Sequence, residues 1–122
     1  MARIDVEQVN DITIIHISGK LTFDEVIDTI KNHYHIITRH LIWDFTNGDA
    51  SPITPAQFRS ILEAAKEFRP PCDAGKTAYV STVDSNFGMT RMFAVMAEIS
   101  GMPYPYGAFH SFGEAVEWLY GP

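Results

Sequence analysis

Residues 41–54 read LIWDFTNGDASPIT, and the fold turns on how this stretch divides. Leu41, Ile42, Trp43 and Phe45 are bulky and apolar with only Asp44 between them, which reads as a strand from Arg39 to Phe45 driven into a core. From Thr46 the chain becomes polar, and Asn47-Gly48 and Ser51-Pro52 are ordinary turn chemistry. Thr54-Pro55-Ala56-Gln57 then spells a capping box, with proline at the first helical position where its missing N–H is harmless. A buried strand, a polar knuckle and a capped helix make one β–α unit. In such units the knuckle at the strand end is a common place for binding or chemistry.

The same alternation extends to both sides. Ile4, Val6 and Gln8 alternate with Arg3, Asp5 and Glu7, a half-exposed strand, and Asn10-Asp11 turns the chain into a second strand over 12–18 that Gly19 ends. Thr22-Phe23-Asp24-Glu25 is another capping box, followed by Val26, Ile27, Ile30 and Tyr34 at helical spacing, so 23–35 is the first helix. Phe58, Ile61, Leu62, Ala65 and Phe68 are the buried stripe of the second helix, which Pro70-Pro71 stops. A strand over 76–81, a helix from Asp84 or Ser85 to about Ser100, a strand over about 104–110 and a final helix from Ser111 or Phe112 complete the chain. The order β-β-α-β-α-β-α-β-α predicts an α/β fold, a mainly parallel five-stranded sheet with an antiparallel strand at its N-terminal side.

Composition bounds the rest. At 122 residues the chain is expected to be a single domain over 1–122, and 46% hydrophobic residues suffice for a core. A formal charge of −6 argues against nucleic acid, which needs clustered Lys and Arg. The sequence holds no apolar run of membrane-spanning length and no signal-peptide pattern at its start. One cysteine, Cys72, is expected to be an ordinary loop thiol, and its solitude fits a reducing cytoplasm.

Strand parity divides the sheet into two faces. Ile15, Ile17, Leu41, Trp43, Phe45, Ala78, Val80 and Phe109 share one face by this reading. His16, His40, Asp44, Thr77, Tyr79, Tyr106 and His110, mixed with Ile12, Ile14 and Ile42, share the other. Right-handed crossovers between adjacent strands place every helix on the same side. The His/Tyr face is therefore expected to stand partly open and to serve, with Tyr104 at its edge, as a homodimer contact.

Three segments add a family likeness: GKTAYVS at 75–81, FGMTRMFAVM at 87–96 and AFHSFGEAVEWL at 108–119. With the opening hairpin and the β–α repeats, they resemble the SpoIIAA-like superfamily, which includes the STAS domains of bacterial anti-sigma factor antagonists, and within it an uncharacterised bacterial branch. The resemblance implies a SpoIIAA-like β–α superhelix, a cytoplasmic location, no cofactor, and binding rather than catalysis. Phosphoswitch members of that family carry a D-S-[ST]-G type motif after the third strand, and this chain departs from it. Ser51 and Thr54 lie nearest the acceptor's place, but no Asp-Ser pair precedes a glycine, and Thr54 already has a role as helix cap.

Four residues stand out as a binding surface. Phe87 and Arg91 are four apart at the start of the third helix, an aromatic and a guanidinium able to anchor an anionic or aromatic group. Thr46 and Asn47 lie across the same end of the sheet. The main expectation is a non-enzymatic module acting by protein–protein contact. The alternative is a carrier of a small apolar or acyl ligand. Its pocket would be lined by Phe23, Phe58, Phe68, Trp118 and the arc of Met89, Met92, Phe93, Val95, Met96 and Ile99, about 160° wide and otherwise read as core. The five histidines show no metal-binding spacing, and no G-x-S-x-G elbow or glycine-rich phosphate loop is present.

Overall fold

The computed structural model describes residues 2–71 and 74–121, without the Ser85 side chain; Cys72 lies outside the described residues. Strands β1 (Arg3–Val9), β2 (Ile12–Lys20), β3 (His40–Asp49), β4 (Thr77–Val80) and β5 (Tyr106–Phe109) form one sheet in sequential order. The β1–β2 pair is antiparallel and the other pairs are parallel. Asn10, with φ 56°, makes the left-handed turn between β1 and β2. Four helices complete the fold: α1 (Phe23–His33), α2 (Pro55–Phe68), α3 (Asp84–Ile99) and α4 (Phe112–Leu119). Both capping boxes form as the sequence predicts. Thr22 Oγ1 accepts from Glu25 N at 3.3 Å, and Thr54 Oγ1 accepts from Gln57 N at 3.1 Å.

Strand β3 runs further than the turn chemistry predicts. Thr46, Asn47, Gly48 and Asp49 stay in the sheet, because β2 also continues past Gly19 to Lys20 and pairs with them. A bulge between His16 and Ser18 resets the register so that Ser18 faces Asn47 and Gly19 faces Gly48. The close approach there requires a glycine. A Cβ on Gly48 would lie 2.8 Å from Ile17 Cγ2 and 2.9 Å from the Ile17 carbonyl oxygen.

Helices lie on both faces of the sheet, which corrects the expectation that all of them share one side; the His/Tyr face stays open around His16, Asp44 and Asn47. Right-handed crossovers do place α1, α2 and α3 together, and their core holds Ile15, Leu41, Trp43, Phe45, Tyr79 and Tyr106. Among the described residues α4 does not lead into another strand of the sheet, so the crossover rule does not set its side. It folds onto the opposite face, where Ala115 and Leu119 close over Ile12, Ile14, Ile42, Ala78 and Val80. The tyrosine assignment fails for a separate reason. In the β3–β4 register Trp43 stands beside Tyr79 and Ile42 beside Ala78, the reverse of the assumed parity for β4 and β5. A one-residue difference in register moves every side chain of a strand to the other face. Tyr79 and Tyr106 are therefore core residues, as is His40 beneath the α4 end, its Nδ1 accepting from Lys76 N at 3.2 Å and its ring edge-on to Tyr120.

The α3 arc is corrected as well. Its buried side is Asn86, Thr90, Phe93, Ala94 and Ala97, small residues apart from a phenylalanine that stacks on Phe58 at 4.2 Å. Met89 and Met96 are half-buried, while Met92, Val95 and Ile99 face outward. Small residues let the helix sit close to the sheet, and that rotation turns the apolar arc partly into solvent.

Leu119→Ala tests the second face. Leu119 is 1% exposed and caps the smaller core, so its truncation is expected to destabilise the protein by about 2–5 kcal/mol in urea unfolding. A change near zero would mean that α4 does not close that face.

Candidate functional site

The C-terminal ends of β3, β4 and β5 lie near the start of α3, and one side chain ties the β3 end to that helix. Asn86, almost fully buried in the first turn of α3, donates from Nδ2 to the Gly48 carbonyl at 2.9 Å. Its Oδ1 accepts from Ala50 N at 3.2 Å. The amide thus satisfies both backbone groups of the chain leaving β3, and it locks that segment to α3. Helix α3 has no side-chain N-cap of its own, since Val83 occupies the cap position. Asn86 was not singled out from the sequence; a polar residue on the buried stripe of α3 was the available signal.

The predicted residues fall into two groups around this lock. Phe87 stacks on His110 with ring centroids 3.7 Å apart, joining the start of α3 to the end of β5. Arg91 is exposed one turn further on, and none of the ion pairs among the described residues involves it. Phe87, Arg91, Val95 and Ile99 follow at four-residue intervals, so they form one ridge along the helix. Its apolar members become more exposed towards the C-terminus, with Val95 at 47% and Ile99 at 81%. Met92, at 39%, flanks the ridge.

Thr46 and Asn47 belong to the other face of the sheet, beyond the reach of α4. Thr46 donates from both its N–H, at 3.0 Å, and its hydroxyl to Asp44 Oδ1. Asp44 Oδ2 lies 2.8 Å from His16 Nδ1, and His16 Nε2 lies 2.6 Å from Glu7 Oε1. Three neighbouring strands thus carry a chain of Glu7, His16, Asp44 and Thr46. Asn47 lines a shallow depression of about 410 Å³ beside it, with Arg3, Asp5 and Ser18. Thr46 and Asn47 therefore do not share a surface with Phe87 and Arg91, and between them the Asn86 amide ties the β3 end to the start of α3.

A carboxylate at each ring nitrogen requires both nitrogens to donate, so His16 is held as the imidazolium. Burial pushes its pKa down, but the hydrogen bonds and charges of Glu7 and Asp44 outweigh that and raise it above 6.5. Asp44 is pulled the other way. Burial raises its pKa, and the Thr46 hydrogen bonds together with His16 bring it below 3.8. His16 is engaged at both ring nitrogens and the Thr46 hydroxyl donates to Asp44, so these side chains are hydrogen-bonded to one another. The cluster links β1, β2 and β3 across the sheet.

The remaining candidates are placed as follows. Ser51 is exposed, and its N–H donates to Asp49 Oδ1 at 2.8 Å. The Thr54 hydroxyl caps α2. Where an apolar ligand was expected, between α1, α2, α3 and the sheet, the side chains leave about 20 Å³, roughly the room of one water molecule. Of the proposed lining, Phe58 sits in that core, whereas Trp118 lies on the opposite face of the sheet. Among the described residues no helix is long and apolar enough to cross a membrane, and no cluster of His, Cys, Asp or Glu has the arrangement of a metal site.

No protein-family model and no curated protein matches the chain. Solved structures do. An anti-sigma factor antagonist from Mycobacterium paratuberculosis superposes with a TM-score of 0.65 at 12% identity, covering 98% of this chain and 94% of that one. An uncharacterised protein of the DUF3478 family with a SpoIIAA-like fold, from Shewanella loihica, superposes with a TM-score of 0.57 at 18% identity, covering 97% and 93%. The chain has the SpoIIAA-like fold: a five-stranded mixed sheet, antiparallel only at β1–β2, with four helices.

The His16 cluster gives a pH signature. Its folded pKa is above the unfolded 6.5, so its contribution to stability is fully present below pH 6.5 and is lost as pH rises through the folded pKa. Asp44 contributes above pH 3.8 and loses that contribution as pH falls through its lowered folded pKa. The wild-type advantage over His16→Gln in urea unfolding is expected to be largest just below pH 6.5 and to shrink above it. Solvent screening of the half-exposed ring limits it to roughly 1 kcal/mol. An advantage that grows with rising pH would refute the imidazolium.

Proposed function

We propose that the chain is a non-enzymatic regulatory module that works by protein–protein contact, with the α3 ridge as its main contact surface. The observation that carries this reading is the ridge itself. An arginine outside the ion pairs of the described residues stands between a stacked phenylalanine and the exposed Val95 and Ile99, with Met92 alongside. Aromatic, Met and Arg side chains around an apolar centre are the composition of interface cores, and a contiguous exposed apolar run on one helix is a common mark of a binding face. Thr46 and Asn47, on the other face of the sheet beside Asp44 and His16, lie outside this ridge. The antagonist from Mycobacterium paratuberculosis, which shares the fold, is by its name a protein of this regulatory class. Its likeness supports the reading at the level of fold.

The ridge fits two kinds of occupant. In an antiparallel two-fold pairing of α3 helices, Arg91 of each copy meets Glu98 of the other, with Val95 near the axis, so a homodimer is self-complementary there. A different protein offering a carboxylate within an apolar patch would compete for the same ridge. The homodimer contact thus moves to α3 from the sheet face, which α4 covers. We place the module in the cytoplasm, on the single cysteine and the family likeness.

Two measurements test this. Proteins retained from a bacterial lysate by the wild type are expected to be lost with Phe87→Ala/Arg91→Ala and, separately, with Val95→Asp, each variant keeping the wild-type thermal transition. Identical partner lists would reject the ridge. Native mass spectrometry is expected to give a homodimer of chains carrying no phosphate at Ser51 or Thr54. An apolar molecule retained in the spectrum would instead favour the carrier, which needs the helices to part from their filled core.

A further inference from the structure

At the opposite end of the sheet, where β3 and β4 begin, a guanidinium is buried with no counter-ion among the described residues. Arg69, which follows the last residue of α2, is 6% exposed. It donates to the Thr77 hydroxyl, to the Arg39 carbonyl at 2.9 Å and to the Lys76 carbonyl at 3.3 Å. No carboxylate of the described residues pairs with it. Carbonyl dipoles solvate a buried cation only in part, and an uncompensated charge in the interior is expensive. Its Nε–H, moreover, is buried with no acceptor.

A second donor next to it is in the same condition. The Tyr104 ring covers the guanidinium, its centroid 3.9 Å from Cζ, and the Tyr104 hydroxyl is also buried and unpartnered. Buried donors without acceptors are rare in native structures, so two adjacent ones call for an explanation. Both residues border a depression of about 340 Å³, walled by Pro70 and Pro103 and rimmed by Lys66 and Glu67. Tyr104 belongs to the stretch between α3 and β5, which forms no helix or strand. Neither sheet pairing nor a hydroxyl bond fixes the ring in place.

We propose that Arg69 and Tyr104 form a binding site for a small oxyanion, a carboxylate or a phosphate, for which the Tyr104 ring acts as the cover. Displacement of the ring exchanges its contact with the cation for a charge-assisted hydrogen bond from Nε–H to an anionic oxygen. The Tyr104 hydroxyl supplies the second donor, and the Lys66 ammonium adds positive charge at the rim. Glu67 at the rim opposes an approaching anion, and the neighbouring Lys66 ammonium offsets it. The other three Arg69 bonds stay in place throughout, so the anchor is already oriented before the ligand arrives. This site is separate from the α3 ridge, and each can fail without the other.

The Arg69 Nε–Hε resonance of ¹⁵N-labelled protein reports binding directly, assigned by its loss in Arg69→Lys. Sodium acetate and sodium phosphate are titrated separately, against sodium chloride at equal ionic strength. A saturable shift with acetate, phosphate or both is expected, and which of them acts names the carboxylate or the phosphoryl source. Tyr104→Phe, which keeps the ring and removes the donor, is expected to weaken binding about tenfold. Should Arg69→Lys fail to fold, the resonance can be assigned through bonds and Tyr104→Phe carries the test. A resonance that responds to both anions only as it does to chloride would overturn the proposal, and so would a Tyr104→Phe protein that titrates like the wild type.

Discussion

The parallel register between β3 and β4 is the constraint on which the molecule depends. Strand β3 is central and buried on both faces, with Leu41, Trp43 and Phe45 towards α1–α3 and Ile42 towards α4. Pairing Trp43 with Tyr79 extends a row of aromatic rings across the large core, from Trp43 to Phe45 at 6.3 Å, Phe45 to Tyr79 at 6.5 Å and Tyr79 to Tyr106 at 6.1 Å. The same pairing brings Ala78 and Val80 beside Ile42 and leaves a small flat apolar surface that an eight-residue helix can close. A slip of one residue would push tyrosines under α4 and alanine into the wide core, with cavities on one face and overpacking on the other. Trp43 adds a polar tie to this arrangement, donating from Nε1 to the Tyr34 hydroxyl at 3.0 Å.

From that sheet the two ends of the molecule acquire different characters. At the C-terminal end the strands deliver their last residues to α3, and Asn86 satisfies the backbone where β3 stops. The Glu7–His16–Asp44 chain lies nearby, a cation compensated by two carboxylates and partly open to water. At the N-terminal end the aromatic row finishes with Tyr104, 5.5 Å from Tyr106 and seated on a guanidinium that no carboxylate of the described residues balances. One positive group is fully paired where solvent is available, and the other is left short of acceptors where it is not. Burial makes the second the more consequential, because the interaction of a charge with any anion strengthens as water is excluded. Ligands of open α/β sheets usually gather at the carboxyl ends of the strands, so an anion site at the amino end would owe its existence to Arg69 and Tyr104 rather than to the strand ends.

Local sequence signals and tertiary context contributed unequally to this picture. Thr22–Glu25 and Thr54–Gln57 announced two helix starts to the residue, because a capping box involves only neighbours in the chain. Phe87 and Arg91 could be picked out from their four-residue spacing on a helix. The extension of β3 through Thr46–Asp49 could not, since the turn-forming Asn47 and Gly48 are held extended by the continuation of β2 and a bulge at Ile17. The pairings of Asn86, with groups 36 and 38 residues away, leave no trace in a local pattern.

The sequence by itself determined the order of elements, the antiparallel start followed by parallel strands, and the SpoIIAA-like class. The first two follow from periodicity, capping and the handedness of crossovers, which act over a few residues or by a general steric rule, and the third from the resemblance of three segments to that family. Only the tertiary structure decided which way β4 and β5 face, where α4 lies, which side of α3 meets water, and that Arg69 is buried without a carboxylate. Those outcomes depend on register and on how volumes fill space between distant segments. Alternation along a strand gives its two faces but not which of them meets the core.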